Sequence, residues 1–265
     1  MKIAYLGIDV LECALRTALE EGCQVLKLFT CRTDNVTEFH TGVCELARAN
    51  GIPVSLEPVG ERELAELAEH GCELLLCGGY YHRLPLTQAF PMVNIHPAPL
   101  PGYRGAWPMP VLLLQGARQG GVVLHRMARS FDTGDVVLEA SFPLDPRDTL
   151  GDYMAKVEAV LPGMVRRLLR ELPELLAAAR PQGEGTYWPC PTQADWTITP
   201  DTPLGKADAI LRAFWGYECV YDEGTRRLEL IGGRAAAQPP GAGPCFPVDG
   251  GWIWAPRVRE LEDGR

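Results

Sequence analysis

The sequence predicts an α/β fold, a mostly parallel sheet with flanking helices, followed by a small C-terminal β domain. Over residues 1–96, short apolar runs alternate with segments whose apolar residues recur at helical spacing. Strands separated by helices need a crossover at each step, and crossovers make parallel neighbours. Beyond residue 203 the pattern changes to short β-like runs, such as 227–231 and 252–255, set between Gly and Pro turns.

The elements follow in order. Residues 2–6 read as a buried strand, 11–21 as an amphipathic helix ended by Gly22, and 24–29 as a second strand. A helix over 43–49, a short strand at 53–56, a helix over 61–70 and a strand at 73–77 repeat the pattern. Residues 92–95 form the next strand, and a helix is expected over 107–115. Strand-like runs at 122–127 and 136–140 flank the turn Ser130-Phe131-Asp132-Thr133-Gly134-Asp135. Residues 150–179 carry helical spacing, with Pro162 and Pro173 expected to kink or restart the helix. The division expected is 1–180, a Pro-, Gly- and Thr-rich linker at 181–203, and the small β domain at 204–265.

Composition narrows the function classes. The 265 residues carry a net charge of −9, and no basic patch stands against it, so a nucleic-acid partner is disfavoured. Nine cysteines, an odd number without CxxC or zinc spacing, point to free thiols in a reducing cytosol and to no metal. No apolar run approaches the roughly 20 residues of a membrane span, and the opening MKIAYLG reads as a strand, not a signal peptide. The expectation is a soluble, cytoplasmic protein with no membrane partner. The turn after the first strand, LGIDVLECAL, lacks G-x-G-x-x-G and so offers no glycine cradle to a dinucleotide.

One stretch stands out, VNIHPAPLPGYRGAWP, from Val93 to Pro108. Asn94 and His96 lie two apart on a strand, so their side chains share a face. The prolines that follow stiffen the loop and reduce what it loses on ordering. An amide donor beside a protonatable imidazole makes a cradle for an oxygen that gains charge. The tight turn at Asp132 can aim a carboxylate at that imidazole and favour its charged form. Taken singly, N-x-H is an ordinary strand end and D-T-G an ordinary turn; their combination is the signal.

NIHPAPLPGYRGAWP followed by GGVVLHRMARSFDTGDVV resembles the formyltransferases that use 10-formyltetrahydrofolate. Their pattern is N-x-H, a leucine-proline loop, R-G-x-x-P, T-G-V-T-x-H-x-M and then D-T-G. KIAYLGIDVLECALRTALEEGCQVLKLFT, CGGYYHRLP and GTYWPCPTQADWTI are similar to further parts of that family, and so is AILRAFWGYECVYDEGTRRLELIGG. The resemblance implies a Rossmann-like sheet, a small OB-like C-terminal domain, and Asn94, His96 and Asp132 as catalytic triad. It implies a folate pocket near Tyr80, Tyr81, His82, Arg83 and Leu84, closed by Arg129 and Phe131. The co-substrate implied is 10-formyltetrahydrofolate. Tyr80 and Tyr81 are equally read as packing at a strand end. Arg104 either meets an anionic group of the acceptor or anchors its own loop. Trp107 either stacks on a sugar or base or begins the core of the next helix. His125 matches a family histidine and is read as bonded within the sheet. Gly120-Gly121-Val122-Val123 departs from Thr-Gly-Val-Thr and removes two hydroxyls.

The acceptor expected from this resemblance is a small amine, first an amino-sugar nucleotide, otherwise an amino acid or peptide amine. The methionyl-tRNA members carry a basic insertion after the second strand. Here TCRTDNVTEFHTGVCELARANGIPV is short and free of lysine. Hydrolysis of the folate and non-catalytic folate binding are the competing readings; hydrolases of the family carry a domain before the first strand, which here starts at Lys2. A homodimer is left open.

Overall fold

The structure is a computed structural model that describes residues 1–32, 39–239, 241 and 243–261. Part of the lysine-free stretch after the second strand (33–38) and the end of the expected β domain (262–265) lie outside the described residues.

The first half gives β1 (Lys2–Gly7), α1 (Glu12–Glu20), β2 (Gln24–Phe29), α2 (Thr41–Ala49), β3 (Val54–Ser55), α3 (Glu61–Glu69), β4 (Leu74–Gly78) and β5 (Met92–His96). There follow α4 (Pro108–Leu114), β6 (Gln119–Arg126), β7 (Val136–Pro143), α5 (Leu150–Arg170) and α6 (Leu172–Ala177). Seven strands make one sheet in the order β3-β2-β1-β4-β5-β6-β7. The pairs from β3 to β5 are parallel, and β6 runs antiparallel to β5. β1 and β4 are apolar on both faces and buried on both, as strands covered on two sides must be. On one face Ala4, Leu6, Phe29, Leu75, Cys77 and Met92 pack with Leu64 and Leu67 of α3.

Of the kink or restart expected at Pro162, the restart does not occur. α5 runs through it without a break. The carbonyl that Pro162 cannot bond belongs to Glu158, which is exposed, so water can take the lost partner's place. Pro173 does restart the helix: it sits in the first turn of α6, where no amide hydrogen is needed.

The described chain forms two compact units that interleave in sequence. One comprises Met1–Ala106, Gly121–Ser141 and Lys156–Tyr187; the other comprises Trp107–Gly120, Phe142–Ala155 and Trp188–Arg265. In the second unit β8 (Thr197–Ile198), α7 (Leu204–Ala213), β9 (Glu218–Asp222), β10 (Arg227–Ile231), β11 (Arg234–Ala236), β12 (Cys245–Val248), β13 (Gly251–Trp254) and β14 (Arg257–Glu260) follow in order. They make a four-stranded sheet, β14-β10-β9-β8, and a three-stranded sheet, β11-β13-β12. Most pairs are antiparallel; β8 and β9 are parallel. α7 was not anticipated, although its buried Ala207, Ile210, Leu211 and Ala213 recur at helical spacing.

Gly120 and Gly121 have a packing reason. A β-carbon on Gly120 would run into the rings of Phe142 and Tyr153, which meet edge to face, 5.2 Å between centroids. One on Gly121 would come within 2.8 Å of the Ala140 carbonyl. At Gly120 aromatic bulk takes the place of the missing hydroxyl.

Among the described residues no helix is long and apolar enough to cross a membrane.

Candidate active site

β5 ends the parallel part of the central sheet, and its carboxyl end delivers Asn94 and His96 to the edge where open α/β sheets hold ligands. The antiparallel register sets Asn94 directly opposite His125 of β6. Directly opposed residues project to the same face, and the Asn94 amide nitrogen lies 3.1 Å from His125 Nε2. His125 Nδ1 faces the Arg126 carbonyl at 2.8 Å. The ring is held between the Asn94 amide and that carbonyl. His125, expected to be bonded only within the sheet, therefore touches the site.

Asp132 arrives from the turn after β6. Its φ of +55° is left-handed, a conformation that aspartate tolerates better than most residues. Gly134 fits there because the Arg126 carbonyl occupies the place of a β-carbon. The Asp132 Oδ1 atom lies 3.4 Å from His96 Nδ1 and 3.4 Å from His125 Nε2, and 3.5 Å from the Asn94 amide nitrogen. Its Oδ2 accepts a 2.9 Å bond from the Gly105 amide. Gly105 holds φ at +132°, open to glycine alone, so this donor depends on the residue type.

The other nitrogen of His96, Nε2, donates to the Tyr103 carbonyl at 2.6 Å. Both nitrogens of this ring thus face acceptors, and both contacts are hydrogen bonds at once only when the ring carries two protons. Burial alone would push the Asp132 carboxyl up. The side chains of His125 and His96, the charge on His96 and the Gly105 amide outweigh it and hold the carboxyl well below the usual carboxylate range. The result is a buried anion against the buried ring of His96, with Asn94 alongside.

The loop is tied down from a third direction. The Thr186 amide donates to the Pro101 carbonyl at 3.1 Å, and the Arg104 amide donates to the Thr186 carbonyl at 3.1 Å. Arg104 spends its guanidinium on protein: Nε reaches the Asp132 carbonyl (3.2 Å) and Nη2 reaches Gln182 Oε1 (3.0 Å) and the Gly183 carbonyl (3.0 Å). Of its two readings, the structure shows loop anchoring.

The residues expected to form a folate pocket divide. Tyr80 and Leu84 pack against the α3 side of the core, and the Tyr80 hydroxyl accepts from the Val59 amide at 3.3 Å. His82 stands edge-on to Tyr80, 5.3 Å between ring centroids. Tyr81 and Phe131 are the exposed aromatics, 54% and 56% accessible. Arg83 joins the two segments: Nη2 donates to the Arg129 carbonyl at 2.7 Å and the guanidinium lies 5.7 Å from the Phe131 ring.

Trp107 belongs to the second unit. Its ring packs with Tyr217, Phe214 and Trp196 at centroid distances of 4.8, 5.5 and 6.1 Å. It begins the core of α4, one of the two roles expected for it.

Fold and site together define an α/β protein with an imidazole-carboxylate pair and an amide at the carboxyl end of its central sheet. Residues 41–167 match the family model described as formyl transferase. It is 33% identical over 179 residues to a methionyl-tRNA formyltransferase of Aromatoleum aromaticum, covering 64% of this chain and 52% of that one. It spans about half the length of the curated relatives it matches. Among solved structures, HypX from Aquifex aeolicus aligns with a TM-score of 0.73 at 17% identity, over 99% of this chain and 46% of that one. A sugar N-formyltransferase from Shewanella aligns with a TM-score of 0.69 at 16% identity, over 89% of this chain and 98% of that one. At such identities the structural likeness shows the fold.

Proposed function

We propose that the protein moves a formyl group from 10-formyltetrahydrofolate to the amine of a small acceptor, with an amino-sugar nucleotide as the first class to test. The observation that carries this reading is the Asp132 carboxylate set 3.4 Å from the buried ring of His96, with the Asn94 amide on the same strand face. The bound folate supplies a formyl carbon open to a nucleophile. Asn94 would turn the N–H now directed at Asp132 Oδ1 toward the formyl oxygen as it becomes an oxyanion, and His96, when protonated, brings a positive charge. The Nε2–H now on the Tyr103 carbonyl is the proton that oxygen would share. Oxyanion donors of this kind typically contribute roughly 3 kcal/mol each.

A carboxylate held so far below its usual range is a poor base. Asp132 therefore orients His96 and favours its charged form, and the amine enters already deprotonated by solvent. As its bond to the formyl carbon forms, the bond from that carbon to the folate nitrogen breaks, and the proton shed by the acceptor nitrogen passes through solvent to the folate nitrogen. Tyr81, Arg83 and Phe131 suit a flat aromatic donor: two exposed rings and a cation tie the segments flanking the cluster. Arg129 and His82 add exposed polar groups to that wall, while Tyr80 and Leu84 support it from the core.

The acceptor argument rests on charge. A net charge of −9 gives counterion release little to act on, which favours a small amine over a tRNA, although several curated relatives are methionyl-tRNA formyltransferases. The test is a mass-detected screen of amino-sugar nucleotides, amino acids, simple amines and charged initiator tRNA with 10-formyltetrahydrofolate. Formylated small amine supports the reading. Product on tRNA alone, or formate released without an amine, overturns it.

A further inference from the structure

Gln182 lies in the stretch expected to be a linker, yet every polar atom of its side chain is engaged at the Asp132 turn. Its Nε2 donates to the Asp132 carbonyl at 2.9 Å and to the Gly134 carbonyl at 2.7 Å. Its Oε1 accepts from Arg104 Nη2 at 3.0 Å and Nε at 3.3 Å. Arg104 Nε also reaches the Asp132 carbonyl, which closes a triangle of three groups. The chain around Gln182 is fixed as well. Arg180 and Val136 exchange backbone hydrogen bonds of 3.0 and 2.8 Å, and 185–187 runs against the proline loop.

We propose that Gln182, through the two bonds it donates to the turn, is a positioning residue for the carboxylate of Asp132. A left-handed aspartate is strained and persists only where its surroundings hold it. Here the carboxylate bonds act on one end of the residue, and Gln182 fixes the carbonyl at the other. Without the two donated bonds the turn is free to relax toward ordinary φ. That relaxation swings Oδ1 away from His96 Nδ1. The effect on chemistry rests on the proposed formyl transfer; the effect on geometry does not.

The experiment uses the full chain with 15N-labelled histidine, in Gln182→Met, which removes all four contacts, and Gln182→Glu, which keeps the acceptor for Arg104 and loses both donors. Ring nitrogen signals of His96 and His125 are read by NMR without substrate, with Asp132→Asn marking where they go when the carboxylate is lost. Both variants are expected to displace the His96 signals toward that marker. Both are also expected to lower kcat about tenfold, with KM for either substrate within about twofold. Signals and kcat that coincide with wild type in both variants overturn the proposal. So does displacement in Gln182→Met but not in Gln182→Glu, because the two donated bonds would then be idle. If Gln182→Met does not fold, Gln182→Glu decides by the same criterion. A wild-type chain that formylates nothing defeats the functional reading while the ring signals still test the clamp.

Discussion

Arg104 and Trp107 stand three residues apart in the same stiff loop and meet opposite environments. Arg104 and its neighbour Gly105 enter a network in which each donor finds an acceptor and the central carboxylate is ionised. Trp107 enters a group of aromatic rings in the second unit, packed edge to face and tilted. The polar end is specified by direction: distances near 3 Å, a left-handed aspartate, a glycine amide in a conformation no other residue holds easily. The apolar end is specified by volume, where ring area counts and orientation is tolerant. Substitution should therefore damage chemistry at one end and stability at the other.

The largest effect is expected at the polar end. His96→Ala should lower turnover by roughly a thousandfold, the scale for losing a charged donor at an oxyanion, measured as folate release with the best acceptor of the screen. Turnover within a few-fold of wild type would remove His96 from the chemistry. Next comes Trp107→Ala, expected to cost about 3 kcal/mol in urea unfolding with kcat of the folded fraction little changed. Unchanged stability with a raised KM for the acceptor would instead give the ring to the substrate, and the contrast between the two ends would fail.

A smaller, pH-dependent effect separates them further. The Asp132 carboxyl is depressed in the folded state, so its contribution is fully present above the ordinary range near pH 4 and is lost as pH falls through the folded value. The stability gap between wild type and Asp132→Asn should be constant at neutral pH, of order 2 kcal/mol, and should shrink below about pH 4. Trp107→Ala should show a gap without that acid dependence. A gap for Asp132→Asn that does not change with acid would mean the carboxylate is not selectively stabilised by folding.

The smallest expected effect is on thiol chemistry. Burial, then the nearby Asp132 charge, pushes the Cys77 thiol up to about 12, whereas Cys190 in the second unit is exposed. A maleimide at pH 8 should label Cys190 at least about a hundredfold faster than Cys77. Comparable rates in the folded chain would show that the floor of the site opens readily.

Much of this arrangement is legible in sequence, for reasons that differ by element. The central strands appear because a strand buried on both faces must be apolar, as β1 and β4 are, and β2 and β10 fall where the runs of residues 24–29 and 227–231 place them. The N-x-H pair is legible because strand periodicity puts the two side chains on one face. Whether Pro162 ends its helix or lies within it is not readable locally, because the carbonyl left without an amide partner must find water, which only packing decides. His125 was visible as a residue type, but its contact with Asn94 follows from the β5–β6 register, which no local pattern encodes. Gln182 carried no signal at all, since a glutamine in a Pro- and Gly-rich stretch looks like solvated linker until the chain folds back along the loop.

The sequence by itself determined the alternation of strand and helix, the stiffness of the loop after His96, and the residue types available at the carboxyl end of β5. These are local properties, set by side-chain periodicity, fixed proline torsions and glycine freedom. The tertiary structure alone decided that Asp132 lies beside His96, that Arg104 turns inward to Gln182, and that Trp107 joins an aromatic core. Those outcomes depend on strand register and on chain segments far apart in sequence meeting at hydrogen-bond distance, and such meetings are fixed only when the whole sheet is assembled.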